Sequence, residues 1–214
     1  MLLVVAASHV EMNAFTAGQA PQVARLVCGV GPVEAACGLW AYLAQNPRPS
    51  AVLNIGIAGA YRRGSGQAEI LSLCLAEREE LGDLGKCAGD RLEALAGPIA
   101  PPAAFCPDAV LNRRIARRLA ALGIAHTRGV FVTVNCASGD RARGDMLLAR
   151  HPEALCENME GAALARVCAQ HHLPFAELRC ISNLIDEPER QGWRLREACA
   201  RMGEVARRLV KEAL

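Results

Sequence analysis

Short, uninterrupted apolar runs alternate along the chain with longer segments in which apolar residues recur at helical spacing. Continuous apolar runs of this length are typical of strands that are buried on both faces. They predict strands over residues 2–7, 24–30, 51–57, 69–75, 124–134 and 174–181. Helical spacing, with Pro, Asp or Gly near the boundaries, predicts helices over residues 32–46, 108–122, 158–172 and 192–214.

This order of elements predicts a single domain over residues 1–214. Strands that alternate with helices are typical of a three-layer α/β fold, in which helices cover both faces of a sheet. Residues 77–106 depart from the alternation, because they are first charged and then rich in Gly, Pro and Ala. We interpret them as a loop excursion near the active site.

Composition narrows the classes of function. Hydrophobic residues make up 52% of the 214 and charged residues 21%, as in a folded globular protein. The net charge of +2 is too small to indicate binding to nucleic acid or to an anionic membrane surface. No apolar run approaches the ~20 residues of a membrane helix, and the apolar start MLLVVAA lacks the basic flank of a signal peptide.

Ten cysteines are spread along the chain, without a C-x-x-C pair and without clustering near the five histidines. This spacing is not that of a zinc site, so no metal is expected. Most of the cysteines lie within apolar runs, where a free thiol behaves as a small hydrophobe. The pattern predicts a reduced protein of the cytoplasm.

Four predicted strand ends carry polar or glycine-rich residues, and ligands gather at strand ends in α/β folds. Glu11 follows the first strand, where it could equally complement the dipole of a helix N-terminus. The segment NIGIAGAY contains Ile57, Ala58 and Gly59. Its small residues allow a ligand to approach the backbone closely, or simply form a tight turn.

The segment CENMEGAALA begins a predicted helix and contains Glu157, Met159 and Glu160. A carboxylate at a helix start is normally a cap or a partner of the helix dipole. Glu160 could instead accept two hydrogen bonds from the cis-diol of a sugar, while Met159 packs on the apolar face of the ring. Spacing alone does not separate these two interpretations.

The last predicted strand ends on Asn183, within RCISNLIDEPERQGW. An asparagine at a strand end can bond to the backbone of the following loop, or it can face a ligand. Trp193, ten residues later, could cover the core at a helix start or contact the same ligand. The intervening acids are interpreted as loop residues; they are Asp186, Glu187 and Glu189.

Four segments together resemble the nucleoside phosphorylase and nucleosidase superfamily. They are CGVGPVEAA, LNIGIAGAY, CENMEGAALARVC and PFAELRCISN, and the resemblance extends over residues 2–200 with a weak stretch at 86–125. It implies an αβα sandwich around a mixed sheet and an enzyme that cleaves the N-glycosidic bond of a purine ribonucleoside without a cofactor. It also implies a homodimer in which the partner subunit completes the pocket.

The resemblance assigns roles to four of the candidate residues. Glu11 matches the carboxylate that positions and deprotonates the attacking water. Glu160 matches the carboxylate that holds the ribose 2′- and 3′-hydroxyls, and Met159 matches the methionine that lines the sugar. Asn183 matches the residue that faces the N7 edge of the purine.

The 5′ end of the substrate is assigned by the same resemblance. Trp193 matches an aromatic residue that lies against the 5′-substituent. Arg190 or Arg194 could bind a carboxylate there, because a guanidinium pairs well with carboxylate geometry.

Departures from the superfamily pattern indicate the reaction and the base. Related phosphorylases have Arg and Ser where this chain has Asn54 and Ile57, and Glu11 is an anion that would repel phosphate, so water is the expected nucleophile. Asn183 indicates hypoxanthine, because an amide N–H can donate to the O6 atom of a 6-oxopurine. The alternatives are a nucleosidase for methylthioadenosine and S-adenosylhomocysteine, an inosine-type phosphorylase, and a non-catalytic nucleoside-binding protein.

Overall fold

The computed structural model describes residues 1–16, 23–63, 66–89, 91–185 and 193–211. The strands found in these ranges are β1 Leu2–Ala6, β2 Val23–Val27, β3 Ala51–Tyr61, β4 Leu73–Leu81, β5 Lys86–Ala88, β6 Arg91–Glu93, β7 Ala104–Phe105, β8 Thr127–Thr133, β9 Ala154–Asn158 and β10 Phe175–Ile185. The α-helices are α1 His9–Thr16, α2 Pro32–Gln45, α3 Ala109–Ala121, α4 Arg141–Arg150, α5 Gly161–Gln170 and α6 Leu195–Val210.

Eight of the described strands form one mixed sheet in the order β10-β4-β8-β9-β3-β1-β2, with β7 paired to β4. β10 runs parallel to β3 and antiparallel to β4, so that β3, β10, β4, β8 and β9 close into a ring. The predicted mixed sheet with its helices is confirmed. The ring, however, makes part of the sheet a partial barrel rather than the middle layer of an open three-layer sandwich.

Strand β1 has the two buried faces that its apolar run predicts. Val4 and Ala6 face one hydrophobic core, which also contains side chains of α1, α3 and α6. Leu3 and Val5 face a second core, which contains side chains of α2 and α5. All four are fully buried, and burying a side chain of the Val or Leu type contributes about 1.5–3 kcal/mol.

The two long strands β3 and β10 extend further than the sequence predicts. β3 continues through the glycine-rich segment to Tyr61, and β10 continues to Ile185, so Asn183 lies inside a strand rather than at its end. The two strands pair along their length, with an irregularity in register between Ile181 and Asn183. Cross-strand hydrogen bonds therefore hold residues that the local sequence would allow to turn.

Other departures lie in the middle of the chain. β4 begins at Leu73 and runs to Leu81, later than the predicted strand 69–75. The rest of 77–106 is not a plain loop, since it contains the β5–β6 hairpin, a 3-10 turn and β7. Helix α4 and strand β9 were not predicted, because the sequence 141–158 is dominated by charged and short segments that lack a clear period.

Candidate active site

A cavity of about 300 Å³ opens where β1, β3, β9 and β10 meet the N-terminal ends of α1, α5 and α6. All eight candidate site residues predicted from the sequence line it. They are Glu11, Ile57, Ala58, Gly59, Met159, Glu160, Asn183 and Trp193. Asn54 does not line the cavity; it is 1% exposed and lies deeper in β3, with no described partner for either side-chain polar atom.

Glu11 lies in the first turn of α1, but its carboxylate is held by more than the helix. The backbone N–H and the hydroxyl of Ser8 donate to its Oε2 atom at 3.0 and 2.7 Å, and the Ile57 N–H donates to Oε1 at 3.1 Å. The side chain is nearly buried, at 8% exposure. These contacts join α1 to β3 and orient the carboxylate at the cavity wall.

Glu160 immediately precedes α5, yet its side chain makes no capping hydrogen bond to that helix. Its Oε1 atom accepts from the Gly31 N–H at 3.2 Å, and its Oε2 atom accepts from Arg179 Nη2 at 3.1 Å. Gly31 has a φ of 92°, a conformation that glycine adopts readily, and its N–H reaches Glu160 from the position just before α2. The capping interpretation of Glu160 is therefore replaced by a tertiary contact.

Arg179 is the central cation of the site, and it is only 1% exposed. Its Nε donates to Glu177 at 2.7 Å, and its Nη1 donates to the Ile57 carbonyl at 3.1 Å. Burial by itself lowers the pKa of Arg179, but the charges of Glu177, Glu160 and Glu11 outweigh burial, so the pKa is raised and the guanidinium stays charged.

Gly56 allows Arg179 and Glu11 to lie this close to β3. A Cβ atom at position 56 would come within 2.4 Å of Arg179 Nη1 and 2.6 Å of Glu11 Oε1. Such contacts are far inside van der Waals distance, so a larger residue would displace both side chains. Gly56, the first glycine of NIGIAGAY, thus serves the site through close packing in a strand, not through a tight turn.

Asn183 is 7% exposed and faces the cavity from β10. The Ser182 hydroxyl donates to its Oδ1 atom at 2.8 Å. Its Nδ2 atom has only a long contact of 3.5 Å, to the Leu184 carbonyl. Ser182 uses one lone pair of the amide oxygen, whereas the Nδ2 hydrogens have no short partner among the described residues, so the N–H group is the more available part of Asn183.

Trp193 lies at the mouth of the cavity, at 37% exposure. The Arg194 N–H donates to the Ser182 carbonyl at 2.9 Å, which ties this segment to the strand that carries Asn183. The Arg194 side chain is already paired with Glu197, so it is a weaker candidate for binding a ligand carboxylate. Arg190 and the acids Asp186, Glu187 and Glu189 lie outside the described residues.

Glu157 lines the opposite wall and was not assigned from the sequence. Ser138 donates to it through its N–H and its hydroxyl, each at 2.7 Å, and the Tyr61 hydroxyl donates at 3.1 Å. Burial raises the pKa of Glu157, although these donors oppose the rise. The contacts anchor the segment between β8 and α4 against the cavity.

Arg179 and Ser182 are two further polar lining residues to which sequence reasoning assigned no role. Both lie in PFAELRCISN, where the alternation of the charged Glu177 and Arg179 with apolar residues was the available signal for Arg179. An arginine inside a buried strand requires a partner, because an unpaired buried charge is strongly unfavourable. Ser182 could not be recognised, since its role depends on the side chain of the next residue.

The arrangement places three carboxylates, a buried cation and an amide N–H with only a long contact around one cavity. Glu11 and Glu160 retain lone pairs that could accept from water or sugar hydroxyls. Such carboxylates suit the cleavage of a glycosidic bond, whose transition state resembles an oxocarbenium ion. Among the described residues, no group of three or more His, Cys, Asp or Glu side chains could hold a metal ion.

The fold and the site define an α/β protein of the nucleoside-cleaving type, and the comparison with protein families agrees. The family model of the phosphorylase superfamily matches residues 7–214, and the chain belongs to this superfamily. Within the described residues, no helix combines the length and apolar character needed to cross a membrane.

Similar proteins lie in two groups of this superfamily. The chain is 34% identical to the futalosine hydrolase of Thermus thermophilus, over 87% of the chain and 80% of that protein. It is 30% identical to the 5′-methylthioadenosine/S-adenosylhomocysteine nucleosidase of Shewanella pealeana, over 79% of the chain and 72% of that protein. The native structure of Helicobacter pylori futalosine hydrolase shares the fold, with a TM-score of 0.82 at 18% identity, covering 99% of this chain and 97% of that one.

Proposed function

We propose that this protein is an N-glycosyl hydrolase that cleaves futalosine into hypoxanthine and dehypoxanthine futalosine, a step of menaquinone biosynthesis. The observation that carries the proposal is the orientation of Asn183, whose oxygen accepts from Ser182 at 2.8 Å and whose N–H remains available. The similarity to the futalosine hydrolase of Thermus thermophilus supports it.

In the proposed reaction the described side chains act on three parts of the substrate. Glu160 accepts hydrogen bonds from the ribose 2′- and 3′-hydroxyls, and its charge favours the developing ribosyl cation. Met159 packs on the sugar. Glu11 takes one proton of the attacking water as the water oxygen bonds to C1′ and the C1′–N9 bond breaks. Asn183 donates a hydrogen bond to O6 of the leaving base, which takes its proton from solvent water.

Water is preferred to phosphate as the nucleophile. A phosphorylase binds phosphate through arginine and other donors, whereas the corresponding positions here are Asn54, which is buried away from the cavity, and Ile57. Glu11 adds a negative charge at the same wall. Phosphate-dependent formation of ribose 1-phosphate would contradict this assignment.

One assay tests the proposed function directly. The protein is incubated without phosphate with futalosine, inosine or methylthioadenosine, and the released base is identified by chromatography. Release of hypoxanthine from futalosine at the highest kcat/KM is expected. Preferential release of adenine from methylthioadenosine would instead support the second candidate, the nucleosidase for methylthioadenosine and S-adenosylhomocysteine, to which the Shewanella pealeana similarity points.

Trp193→Ala is expected to lower kcat/KM more for futalosine than for inosine. The indole lies at the cavity mouth, where it can stack on the aromatic 5′-substituent of futalosine, and aromatic pairs contribute about 0.5–1.5 kcal/mol beyond their buried area. The loss for futalosine should therefore exceed the loss for inosine by about threefold to tenfold. Equal losses for the two substrates would argue against stacking, and Trp40→Ala, a change at an exposed tryptophan of α2, is the matched control.

A homodimer is part of the proposal. Val10, Val30 and Trp193 all line the cavity while remaining 54%, 57% and 37% exposed. Apolar side chains left open at a cavity mouth are commonly covered by a partner. A second subunit placed here would close the 5′ end of the pocket, and light scattering after size exclusion would measure the assembly.

The cytoplasm is the proposed location. All ten cysteines are free in the structure, and four of them are exposed. Exposed free thiols are usual in compartments that keep cysteine reduced.

A further inference from the structure

Two glutamates that the proposed reaction does not use lie beneath the cavity. Glu79 of β4 and Glu177 of β10 are both fully buried, and their carboxyl groups are within hydrogen-bonding reach of each other. A Cβ atom on Gly161 would come within 2.1 Å of Glu79 Oε1 and 2.4 Å of Glu177 Oε2, which places these two oxygens in the same small space. Two adjacent buried carboxylates repel each other strongly.

The hydrogen bonds around the two acids leave one oxygen without a donor. Thr133 and Asn158 each donate to Glu79 at 2.7 Å, and Arg179 Nε donates to Glu177 Oε1 at 2.7 Å. Glu177 Oε2 has no hydrogen-bond partner among the described residues. A proton on Glu79 would supply that missing donor.

Other charged and titratable groups around the pair do not replace this proton. Arg179 of β10 is the nearby cation, and it is shared with Glu160. Cys156 of β9 is a buried neutral thiol, because burial raises its pKa. Four acids therefore interact with the cation Arg179, and they are Glu11, Glu79, Glu160 and Glu177.

We propose that Glu79 and Glu177 share one proton, and that the resulting singly charged pair positions Arg179 to hold Glu160 for the sugar hydroxyls. The shared proton satisfies Glu177 Oε2 and removes one of two adjacent negative charges. The remaining charge anchors Arg179 Nε, which leaves Nη2 directed at Glu160 Oε2, 3.1 Å away. Glu79 and Glu177 are positioning residues, since neither lines the cavity.

The proposal has a consequence for stability that is independent of substrate. Burial and the charge of Glu177 raise the pKa of Glu79 well above its ordinary 4.5. Between 4.5 and the raised value, the folded protein holds a proton that the unfolded chain has lost. The folding equilibrium constant should therefore fall by up to about tenfold for each unit of rising pH in this window.

The first test compares Glu79→Gln, Glu177→Gln and the double variant with the wild type. Each single substitution leaves one carboxylate beside an amide donor, so no shared proton is needed. In both single variants the folding equilibrium constant, measured by chemical denaturation across pH, should no longer fall by about tenfold per pH unit. In a Glu157→Gln background, which removes the other buried acid of raised pKa, they should also lose the infrared band of a protonated carboxyl group. If a single variant keeps the whole dependence, the two acids titrate independently and the proposal is overturned.

Glu77→Gln is the matched control. Glu77 lies on the same strand two residues away, but it is exposed and paired with Arg128 at 2.8 Å. The Glu77→Gln variant should keep the pH dependence of folding stability and the turnover of the wild type. If the Gln variants of Glu79 and Glu177 do not fold, the Glu157→Gln protein is used instead, because it keeps the pair and removes the other buried acid of raised pKa. Absence of a protonated carboxyl band from its infrared spectrum at neutral pH overturns the proposal.

The positioning role rests on the proposed function and is tested separately. Glu177→Leu removes the acceptor of Arg179 Nε, and kcat/KM for futalosine should fall by about 100-fold or more, as expected for misplaced catalytic groups. Glu177→Gln, whose amide oxygen can still accept from Nε, should restore most of this loss. Equal losses of kcat/KM in the two variants would contradict the positioning role. Absence of futalosine turnover in the wild type would reject the proposed function, but it would leave the measurements of the shared proton valid.

Discussion

Glu11→Gln is expected to lower kcat for futalosine by about 10²–10⁴-fold while nucleoside binding is retained. The amide keeps the shape of the side chain and can still accept from Ser8 or Ile57, which now donate to the carboxylate at 2.7 to 3.1 Å. It cannot take the proton of the attacking water. Loss of a general base typically lowers kcat by about 10²–10⁴-fold, and rapid-quench or steady-state assays would measure it.

Binding measured on the same variant separates an enzyme from a binding protein. Calorimetry with futalosine should give a Kd for Glu11→Gln within a few-fold of the KM-derived affinity of the wild type. Ser8→Ala is a useful companion, because it removes one donor to Glu11 but leaves the carboxylate, and a smaller loss of kcat is expected. Full activity of Glu11→Gln would show that another group activates water.

Asn183→Asp is expected to shift the preference of the enzyme from 6-oxopurine toward 6-aminopurine nucleosides. The amide N–H of the wild type has only a long contact in the protein, and under the proposed function it donates to the O6 carbonyl of the base. A carboxyl group in its place can accept from a 6-amino group, and in its protonated form it can donate to N7. The ratio of kcat/KM for inosine-type over adenosine-type substrates should fall by about 10- to 100-fold, the range expected for one such hydrogen bond.

Asn183→Ala is the control for this exchange. It removes both polar atoms, so kcat/KM should fall for both classes of substrate without a gain for adenine. An unchanged substrate ratio in Asn183→Asp would mean that the base is recognised elsewhere on the cavity wall, for example by the segment that Ser138 anchors to Glu157.

The candidate residues could be predicted from sequence because each lies in a short motif at the end or edge of a strongly apolar segment. The position of each motif depends on hydrophobic patterning, which sets β1, α2, α3 and α6 within a few residues of their observed bounds. The charged and irregular middle of the chain has no such pattern, so α4, β9 and the β5–β6 hairpin were missed.

Arg179 illustrates the limit of local reasoning about the site. Its contacts lie on three other parts of the chain: β3 at Gly56 and Ile57, Glu160 before α5 and, through Glu177, Glu79 of β4. No spacing along the chain connects these positions, because the pairing of β10 with both β3 and β4 brings them together. The proximity of Glu79 to Glu177, on which the proposed shared proton depends, therefore exists only in the folded protein.

The sequence by itself determined which residue types are available: a carboxylate after β1, a Met-Glu pair before α5, and an amide near the end of β10. Periodic burial of apolar residues also determined most of the elements that carry them. Only the tertiary structure decided that Asn183 lies within a strand with its oxygen bound to Ser182, and that Glu160 is held by Arg179 rather than capping its own helix. The physical reason is that hydrophobic periodicity is a local property, whereas hydrogen bonds between distant side chains depend on strand pairing and on the small residues that allow close approach.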